Sequence, residues 1–374
     1  YTLRYTQPAT NDNICIGYEA MMMKRYGSKN ISVGSYSFRK EDEKPERYQG
    51  DSNVAIGYES MFDTTGNYNI GIGDKSLRVS STDSNIAIGF ESQLNLDTGS
   101  QNLSIGYRTL AASETGNYNV AIGHESQYRS SSASNNTAVG YRSLYDVFSA
   151  HSNTAVGREA LTSCNLGVSN VGVGMNAGYS NATGSRNNAV GYDALYTNQD
   201  GMDNIAIGNE ALYSNLSGDG TIAIGFQSAF TQRDASGNIA IGYLNSYSNN
   251  IFPNNLSIGN RAQYNSKSVN NTSYGHYCMF SQTTGSHNTG MGYFSLYKNI
   301  SGSYNVSIGY ENMYEAEYGN YNLSLGYQAL SSDSTTGNAG DYNIALGFRS
   351  LYDNNGGDFN VSIGYESLYS NQGG

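Results

Sequence analysis

Residues 304–330 read YNVSIGYENMYEAEYGNYNLSLGYQAL and contain one five-residue phrase twice, first as Asn305-Val-Ser-Ile-Gly309 and then as Asn322-Leu-Ser-Leu-Gly326. The spacing between the glycines that end this phrase is 17 in 15 of 20 intervals, 16 in three and larger in two. This period indicates a repeat architecture. The phrase occurs in 21 copies, whose anchor glycines are at 17, 34, 57, 73, 89, 106, 123, 140, 157, 174, 191, 208, 225, 242, 259, 275, 292, 309, 326, 347 and 364.

Positions are counted below from the anchor glycine as position 0, and equivalent positions in successive copies form a column. Position −4 is Asn in 20 of 21 copies, and Thr221 is the exception. Position −2 is always small, and position −1 is Ile or Val in 17 copies. Positions +3, +4 and +5 are typically small, apolar and aromatic, in that order. The stretch before the phrase is rich in Asn, Ser, Thr and Gly, which is typical of turns.

These columns predict an all-β fold, a parallel β-solenoid of about 21 coils with a 17-residue repeat. The Asn-x-Ala-Ile-Gly phrase reads as one short strand, and the x-x-Ser-Leu-Tyr stretch reads as a second. A single copy is too short to bury a core, whereas stacked copies can. We expect the Ile/Val and Leu columns to fill the interior, and 21 coils to form a rod on the order of 100 Å long at roughly 4.8 Å per coil.

The asparagines of position −4 form a predicted structural ladder. Two interpretations remain open: the side-chain amides pair along the solenoid axis, or each satisfies a tight turn locally. The column consists of Asn13, Asn30, Asn53, Asn69, Asn85, Asn102, Asn119, Asn136, Asn153, Asn170, Asn187, Asn204, Asn238, Asn255, Asn271, Asn288, Asn305, Asn322, Asn343 and Asn360.

The small column at position −2 indicates that something approaches the strand closely on that side. One explanation is a very thin roll, and the other is the packing of parallel copies of the chain against one another. We favour packing into a symmetric homo-oligomer, with a trimer as the preferred state.

The phrase Asn-x-Ala-Ile-Gly-x-x-Ala/Ser-Leu resembles the head repeats of YadA-like trimeric autotransporter adhesins, and similar repeats occur in phage and viral tail-fibre proteins. Close matches are Asn204-Ile-Ala-Ile-Gly-Asn-Glu-Ala-Leu212 and Asn119-Val-Ala-Ile-Gly-His-Glu-Ser126. The resemblance covers nearly the whole chain and implies a left-handed parallel β-roll, trimerisation and a surface-exposed role. Adhesin heads have a shorter repeat, so this chain has longer turns. The sequence has no stalk heptads and no membrane-anchor strands, and no specific ligand carries over.

Composition excludes several classes of function. The chain of 374 residues has 45 Gly, 34 Tyr and a formal net charge of −11, without a Lys/Arg-rich patch, which argues against nucleic-acid partners and anionic membranes. No apolar run is long enough to insert into a membrane, and no signal peptide is visible. We find no catalytic grouping, phosphate-binding loop or calcium-binding nonapeptide, and therefore expect a protein that is not an enzyme and takes no cofactor or metal.

Histidine and cysteine offer few candidate sites. His276 and His287 lie about one coil apart and could approach each other, although exposed turn histidines are the simpler interpretation. Cys15 and Cys278 fall in small columns and are expected to be buried thiols. Cys164 lies in a predicted turn, where we expect a free thiol, with a reactive or cross-linked one as the alternative.

Aromatic residues occupy position +1 in 13 copies and position +5 in 14. They are interpreted either as packing residues or as a surface that binds glycans. The candidate surface-binding aromatics are Tyr141, Tyr145, Tyr192, Tyr196, Tyr213, Tyr243, Tyr264, Tyr293, Tyr297, Tyr310, Tyr314, Tyr365 and Tyr369.

Residues 1–374 are interpreted as a single solenoid domain with three irregular segments. Residues 1–12 form a partial first coil, 35–52 contain a charged loop insertion, and 331–342 form a longer turn. The sequons at Asn181, Asn215 and Asn299 fall in predicted turns and are candidate glycan acceptors. Because neither end resembles a polar cap, the chain is expected to be a section of a longer repeat protein or to stack end to end.

The sequence therefore predicts a structural fibre or filament protein of an extracellular or virion surface appendage. The alternative is an adhesin or receptor-binding fibre that recognises glycans or a host surface through its aromatic columns and turns. Ice binding is disfavoured because Thr occurs only sporadically.

Overall fold

A computed structural model describes residues 12–22, 27–39, 50–249, 252–331 and 339–371. The described residues contain β-strands and turns and no α-helix. The chain is a parallel β-solenoid that divides into two compact units, Tyr1–Arg186 and Asn187–Gly374, which contain 10 and 11 of the anchor glycines. The proposed partial coil at 1–12, the core of the charged loop at 35–52 and most of the turn at 331–342 lie outside the described residues.

Each copy of the repeat contributes one main strand, at positions −3 to −1 in 18 copies and −3 to +1 in three, and within each unit successive main strands pair in parallel. In the first unit these strands are Ile14–Ile16, Ile31–Val33, Val54–Ile56, Ile70–Ile72, Ile86–Ile88, Leu103–Ile105, Val120–Ile122, Thr137–Val139, Thr154–Val156 and Val171–Val173. In the second unit they are Asn188–Val190, Ile205–Ile207, Ile222–Ile224, Ile239–Ile241, Leu256–Ile258, Thr272–Tyr274, Thr289–Met291, Val306–Tyr310, Leu323–Tyr327, Ile344–Phe348 and Val361–Ile363.

The register aligns equal positions of successive coils. Ile205 pairs with Ile222 and Ala206 with Ala223. Position +6 to +7 adds short two-residue strands in some coils: Asp63–Thr64, Val79–Ser80, Ala112–Ser113, Arg129–Ser130, Asp146–Val147, Asp353–Asn354 and Ser370–Asn371. The predicted solenoid, its period and its parallel pairing are therefore confirmed.

The prediction of a second strand through x-x-Ser-Leu-Tyr is wrong. Ser143 and Leu144 lie in a turn, in which Leu144 has a φ of +48°, and Tyr145 follows that turn outside any strand. Arg142, two positions earlier, has a φ of +50°. The same left-handed pair of positions, +2 and +4, recurs along the chain, and a residue with a left-handed φ cannot continue a β-strand.

The prediction that the Ile/Val columns fill the interior is also wrong. The small residues of position −2 face inwards, and 20 of 21 are buried, whereas positions −3 and −1 face outwards and are half-buried or exposed. Two glycines of this column show that the interior is narrow. A Cβ on Gly172 would collide with the side chain of Leu161, and one on Gly290 would collide with the side chain of Cys278. The close approach that keeps this column small thus comes from the chain's own turn, not from a second copy.

The interior is filled by the small column, by position +3 and by the apolar column at position +4. The prediction that the Leu column is internal is confirmed, with Leu144, Leu212 and Leu296 completely buried. Residues of consecutive coils form continuous clusters, such as the one that contains Met279, Leu296, Met313, Leu330 and Leu351.

Candidate functional site: the outward sheet face

The side chains at positions −3, −1 and +1 form what we call the outward face of each unit. Position −1 is substantially exposed in many coils; Ile207, for example, is 41% exposed. The aromatic side chains at position +1 are similarly exposed, as in Tyr192 and Tyr310. An extended apolar surface of this kind is rare on proteins that act as monomers.

Charge is absent from the two aliphatic columns of this face. None of the 42 residues at positions −3 and −1 is Asp, Glu, Lys or Arg, although charged residues make up 14% of the chain and about six would be expected. Surfaces that remain in water rarely exclude charge so completely, whereas depletion of charge is typical of the centres of protein interfaces. The −3 and −1 columns of the outward face therefore have the composition of a buried surface.

The asparagine ladder lies inside the solenoid and acts on the backbone of the next coil. The Asn305 side chain accepts a hydrogen bond at Oδ1 from the Asn322 N–H, at 2.9 Å, and donates from Nδ2 to the Gly319 carbonyl, at 2.7 Å. Asn288 has the same relation to Asn305 and Gly302. Neither open interpretation describes this arrangement, since most of these amides join one coil to the main chain of the next. Direct contacts between amides, such as Asn119 with Asn102, are a minority.

A second buried polar column at position +7 was missed in the sequence. Asn198 and Asn215 are fully buried, and the amide of Asn215 donates to Asn198 Oδ1 at 2.7 Å and to the Gly218 carbonyl at 3.0 Å. The repeated Asn three residues before a turn glycine was the signal for this column. Asn181, Asn215 and Asn299 are all completely buried with their Nδ2 atoms donating to a carbonyl. The prediction that these sequons accept glycans is wrong for the folded chain.

The aromatic columns form stacks along each unit. In the second unit an uninterrupted run of eight half-buried rings at position +5 extends from Tyr196 to Tyr314 with centroids 5.0–5.3 Å apart. At position +1, Tyr293, Tyr310 and Tyr327 stack at 5.4 and 4.9 Å. Since each ring covers the face of the next, these columns present mainly edges and hydroxyls to water.

The candidate surface-binding tyrosines fall into two groups. The exposed members at position +1 are Tyr141, Tyr192, Tyr243, Tyr293, Tyr310 and Tyr365. The half-buried members at position +5 are Tyr145, Tyr196, Tyr213, Tyr264, Tyr297 and Tyr314, whereas Tyr369 in the same column is exposed. The structure therefore distributes these residues along two parallel columns and does not gather them into one pocket.

Carboxylates beside the exposed rings act on the tyrosine hydroxyls. The Glu311 carboxylate, hydrogen-bonded to the Tyr310 hydroxyl, raises the pKa of this phenol. The charge of Asp193, which is also hydrogen-bonded to Tyr192, raises the pKa of that phenol. These hydroxyls consequently stay protonated and act as hydrogen-bond donors throughout the physiological pH range.

Charged residues occur at position +2, beside the outward face. Arg142 pairs with Glu125 at 2.7 Å and lies over the rings of Tyr141 and Tyr145. Arg108 and Glu91 repeat the pair at 2.6 Å. Pairs of this kind at partly exposed positions contribute modestly to stability.

The cysteine and histidine candidates are not brought together into a reactive site. Cys164 and Cys278 are fully buried, which raises the pKa of Cys164 to about 11 and that of Cys278 to about 12. Burial of Cys278 confirms one prediction, and Cys164 is the free thiol that was expected, with its burial opposing the reactive alternative. Cys15 is only half-buried.

His276 stacks on Tyr293 at 5.4 Å, and His287 stacks on Tyr304 at 4.8 Å and contacts the amide of Asn270 at 3.2 Å. Within the part of the chain that the structure describes, no three His, Cys, Asp or Glu side chains are grouped for a metal ion. In that same part, no helix has the length and apolarity needed to cross a bilayer.

Comparison of the chain with protein-family models, curated proteins and solved structures gives no match.

Proposed function

We propose that the chain is a non-enzymatic structural protein of an extracellular or virion surface appendage, and that its copies associate side by side through the outward face. The uncharged −3 and −1 columns are the single observation that carries this proposal. An exposed apolar sheet face is stabilised when it is covered, and a homo-oligomer supplies the covering surface in every copy. A trimer is the preferred state, as the resemblance to adhesin heads implies.

The repeated backbone contacts give this assembly its mechanical role. Within each unit, successive coils are joined by parallel strand pairing, and many of them also by buried Asn bridges and by ring stacks. Most polar groups of the interior thereby gain partners within the fold, which resists local opening and proteolysis. A fibre needs this property more than it needs a reactive site.

Light scattering, with negative-stain imaging of the same sample, tests the proposal. Association into trimers predicts a mass of about 121 kDa, three times the 40.3 kDa of one chain. Long filaments would keep the structural role and replace the trimer by end-to-end assembly. A well-behaved monomer at micromolar concentration would contradict self-association through this face.

Glycan binding is the second candidate function, and Tyr274 favours it. This tyrosine replaces the usual Ile or Val at position −1, is 56% exposed, and has no ring stacked on it among the described residues. Its neighbours in the column are Ile258 and Met291, so this exposed ring is not covered by other rings, unlike those of the stacked columns. Binding to a glycan array that is lost in Tyr274→Ala would support this candidate. No binding to the array by a chain that forms a stable oligomer would count against it.

A further inference from the structure

The last four coils of the described chain differ from the others in their outward side chains. Position −5 directly precedes the asparagine of position −4, and its side chain is exposed in all four of these coils. In these four coils it is occupied by Tyr304, Tyr321, Tyr342 and Phe359, whereas in the other 17 coils it is Tyr only at 68 and 118, never Phe, and mostly Ser, Asn, Asp or Gly. Each of the four coils thus presents an aromatic, two aliphatic and a second aromatic side chain.

We call these 16 side chains, at positions −5, −3, −1 and +1 from Tyr304 to Tyr365, the 304–365 patch. Its two aromatic borders are continuous stacks. Tyr304 and Tyr321 lie 4.9 Å apart with nearly parallel rings, and so do Tyr321 and Tyr342. On the other border, Tyr310 and Tyr327 lie 4.9 Å apart. The rings consequently hold one another in fixed orientations, and the patch is organised before anything binds to it.

The backbone at position −5 disfavours the residues that form the first border. Tyr321 and Tyr342 have φ values of +58° and +57°, in the left-handed region that bulky side chains rarely adopt. Other coils place Asn254, Asn270 or Gly220 at this position, and these residue types tolerate that conformation. The four successive aromatic residues therefore carry a backbone cost, which their stacking on one another partly offsets.

The area of the patch matches a specific protein interface. Tyr304, Tyr321 and Tyr342 are each 48% exposed, and Leu325 is 46% exposed. With side chains of roughly 150–250 Å² each, the exposed area of the patch is on the order of 1,000 Å². The largest apolar patches of monomeric proteins measure about 300–600 Å², and a standard interface buries about 800 Å² per partner.

We infer that the 304–365 patch is the centre at which copies of this chain dock, patch against patch about a common symmetry axis. This inference rests on the proposed self-association and locates it. The patch contains no charge, so it offers nothing to an ionic partner, and an uncharged apolar surface can be covered by a second copy of itself. The remaining outward face, with polar residues at position −5, then flanks the contact.

Two matched substitutions at position −1 test the location. Leu325→Lys places a charge within the patch, and Ile207→Lys places the same charge on the outward face of a coil whose position −5 is Asp203. The two native side chains are 46% and 41% exposed, so both variants are expected to fold, which circular dichroism and the melting temperature verify. We expect Leu325→Lys to weaken association at least tenfold by sedimentation velocity, and Ile207→Lys to change it less than threefold.

The double variant Tyr321→Asn/Tyr342→Asn separates association from folding. Asn suits the left-handed backbone, which offsets part of the loss of three ring stacks, so the monomer at high dilution should remain folded and melt at a somewhat lower temperature than the native chain. Its association should nevertheless weaken at least tenfold. A structural role alone would lower the melting temperature and leave the association of the folded chain unchanged.

The outcomes distinguish the inference from the proposed function. If the native chain is monomeric, both are wrong. If Ile207→Lys dissociates the oligomer as strongly as Leu325→Lys, self-association stands and its location in the patch is wrong. An oligomer that withstands both Leu325→Lys and the double Asn variant likewise overturns the patch and leaves the proposed function intact.

Discussion

At the anchor position the backbone has φ between +126° and +145°, a region that only glycine adopts readily. A Cβ on Gly242 would overlap the carbonyl oxygen of Gly259 in the next coil. The repeat therefore keeps glycine for two reasons, the dihedral angle and the close approach of successive coils. Position −5 also has a left-handed φ, but a Cβ added at Gly220 there would not approach the backbone of the next coil.

Gly242→Ala is expected to destabilise the chain by about 3 kcal/mol, the sum of dihedral strain and displacement of the neighbouring coil. Gly220→Asn is the control, because Gly220 has a φ of +60° and a Cβ added there would meet no atom within 4 Å. We expect this change to lie within about 0.5 kcal/mol of the native value. Chemical unfolding measures both, and equal losses would contradict the argument.

Asn305→Ala tests the buried bridge between coils. The change leaves the Asn322 N–H and the Gly319 carbonyl without their side-chain partner, and each buried unsatisfied group costs about 1–3 kcal/mol. We expect a loss of about 3 kcal/mol in thermal or chemical unfolding. Asn209→Ala, at an exposed position of the outward face, should be nearly neutral. If Asn305→Ala and Asn209→Ala have the same melting temperature, the bridge does not stabilise the coil.

The buried thiols predict a pH-dependent reactivity. Because burial holds the pKa of Cys164 at about 11 and that of Cys278 at about 12, neither forms a thiolate at pH 8. A thiol reagent should modify these two residues only after unfolding, or as the pH approaches 11. The stability gained by keeping them neutral is fully present below their unfolded pKa, about 8.5, and is lost as the pH rises through the folded values. Mass spectrometry of labelled native protein at pH 8 checks this, and rapid labelling of Cys164 would contradict its burial.

At the scale of the element, each coil has one regular strand and a turn built from left-handed residues. The strand, the period and the parallel pairing could be predicted, because β-branched residues and turn residues alternate at a fixed interval. The left-handed φ of positions +2 and +4 could not be predicted, since Glu, Arg and Leu, which are common there, do not ordinarily mark such a conformation. The wrong prediction of which strand face points inwards has the same origin. The turn sets how narrow the coil is, and a narrow coil admits only the small residues of position −2 to its interior.

The candidate site was predicted in part. The aromatic columns were evident, and the structure distributes their members between exposed and half-buried positions. The asparagine column was found, but its bond to the next main chain depends on the distance between coils, which one coil's sequence does not contain. The 304–365 patch could not be recognised from the sequence, because position −5 falls in the stretch before the phrase, whose composition is typical of turns.

The ring stacks predict unequal effects of two similar substitutions. Tyr247 lies between Phe230 and Tyr264, 5.2 Å from each, whereas Tyr243 stacks on Phe226 and is followed by Asn260 in the next coil. Each aromatic pair contributes about 0.5–1.5 kcal/mol beyond the buried area. We expect Tyr247→Ala to cost about 2–3 kcal/mol and Tyr243→Ala about 1 kcal/mol in thermal unfolding. Similar losses would show that the second ring contributes nothing.

At the scale of the whole molecule, the repeated coil makes energetic coupling local. Strand pairs, Asn bridges and ring stacks all join a coil to its immediate neighbours, so stability is approximately a sum of coil terms and neighbour terms. The buried apolar column at position +4 follows the same rule. Leu330 and Leu351 belong to consecutive coils and to one buried cluster, whereas Leu212 lies eight coils before Leu351.

Double substitutions of these leucines test whether coupling is local. Each Leu→Ala change removes a buried side chain and should cost about 2–5 kcal/mol. The losses for Leu212→Ala and Leu351→Ala are expected to add within about 0.5 kcal/mol, because the two sites share no neighbour. Leu330→Ala and Leu351→Ala open adjoining cavities, so their combined loss should depart from the sum by about 1 kcal/mol or more. Hydrogen exchange of the amides in each coil resolves the local losses without assuming two-state unfolding. Coupling of equal size for the distant and the adjacent pair would mean that the solenoid unfolds as one cooperative body, and a neighbour-by-neighbour account of its stability would then fail.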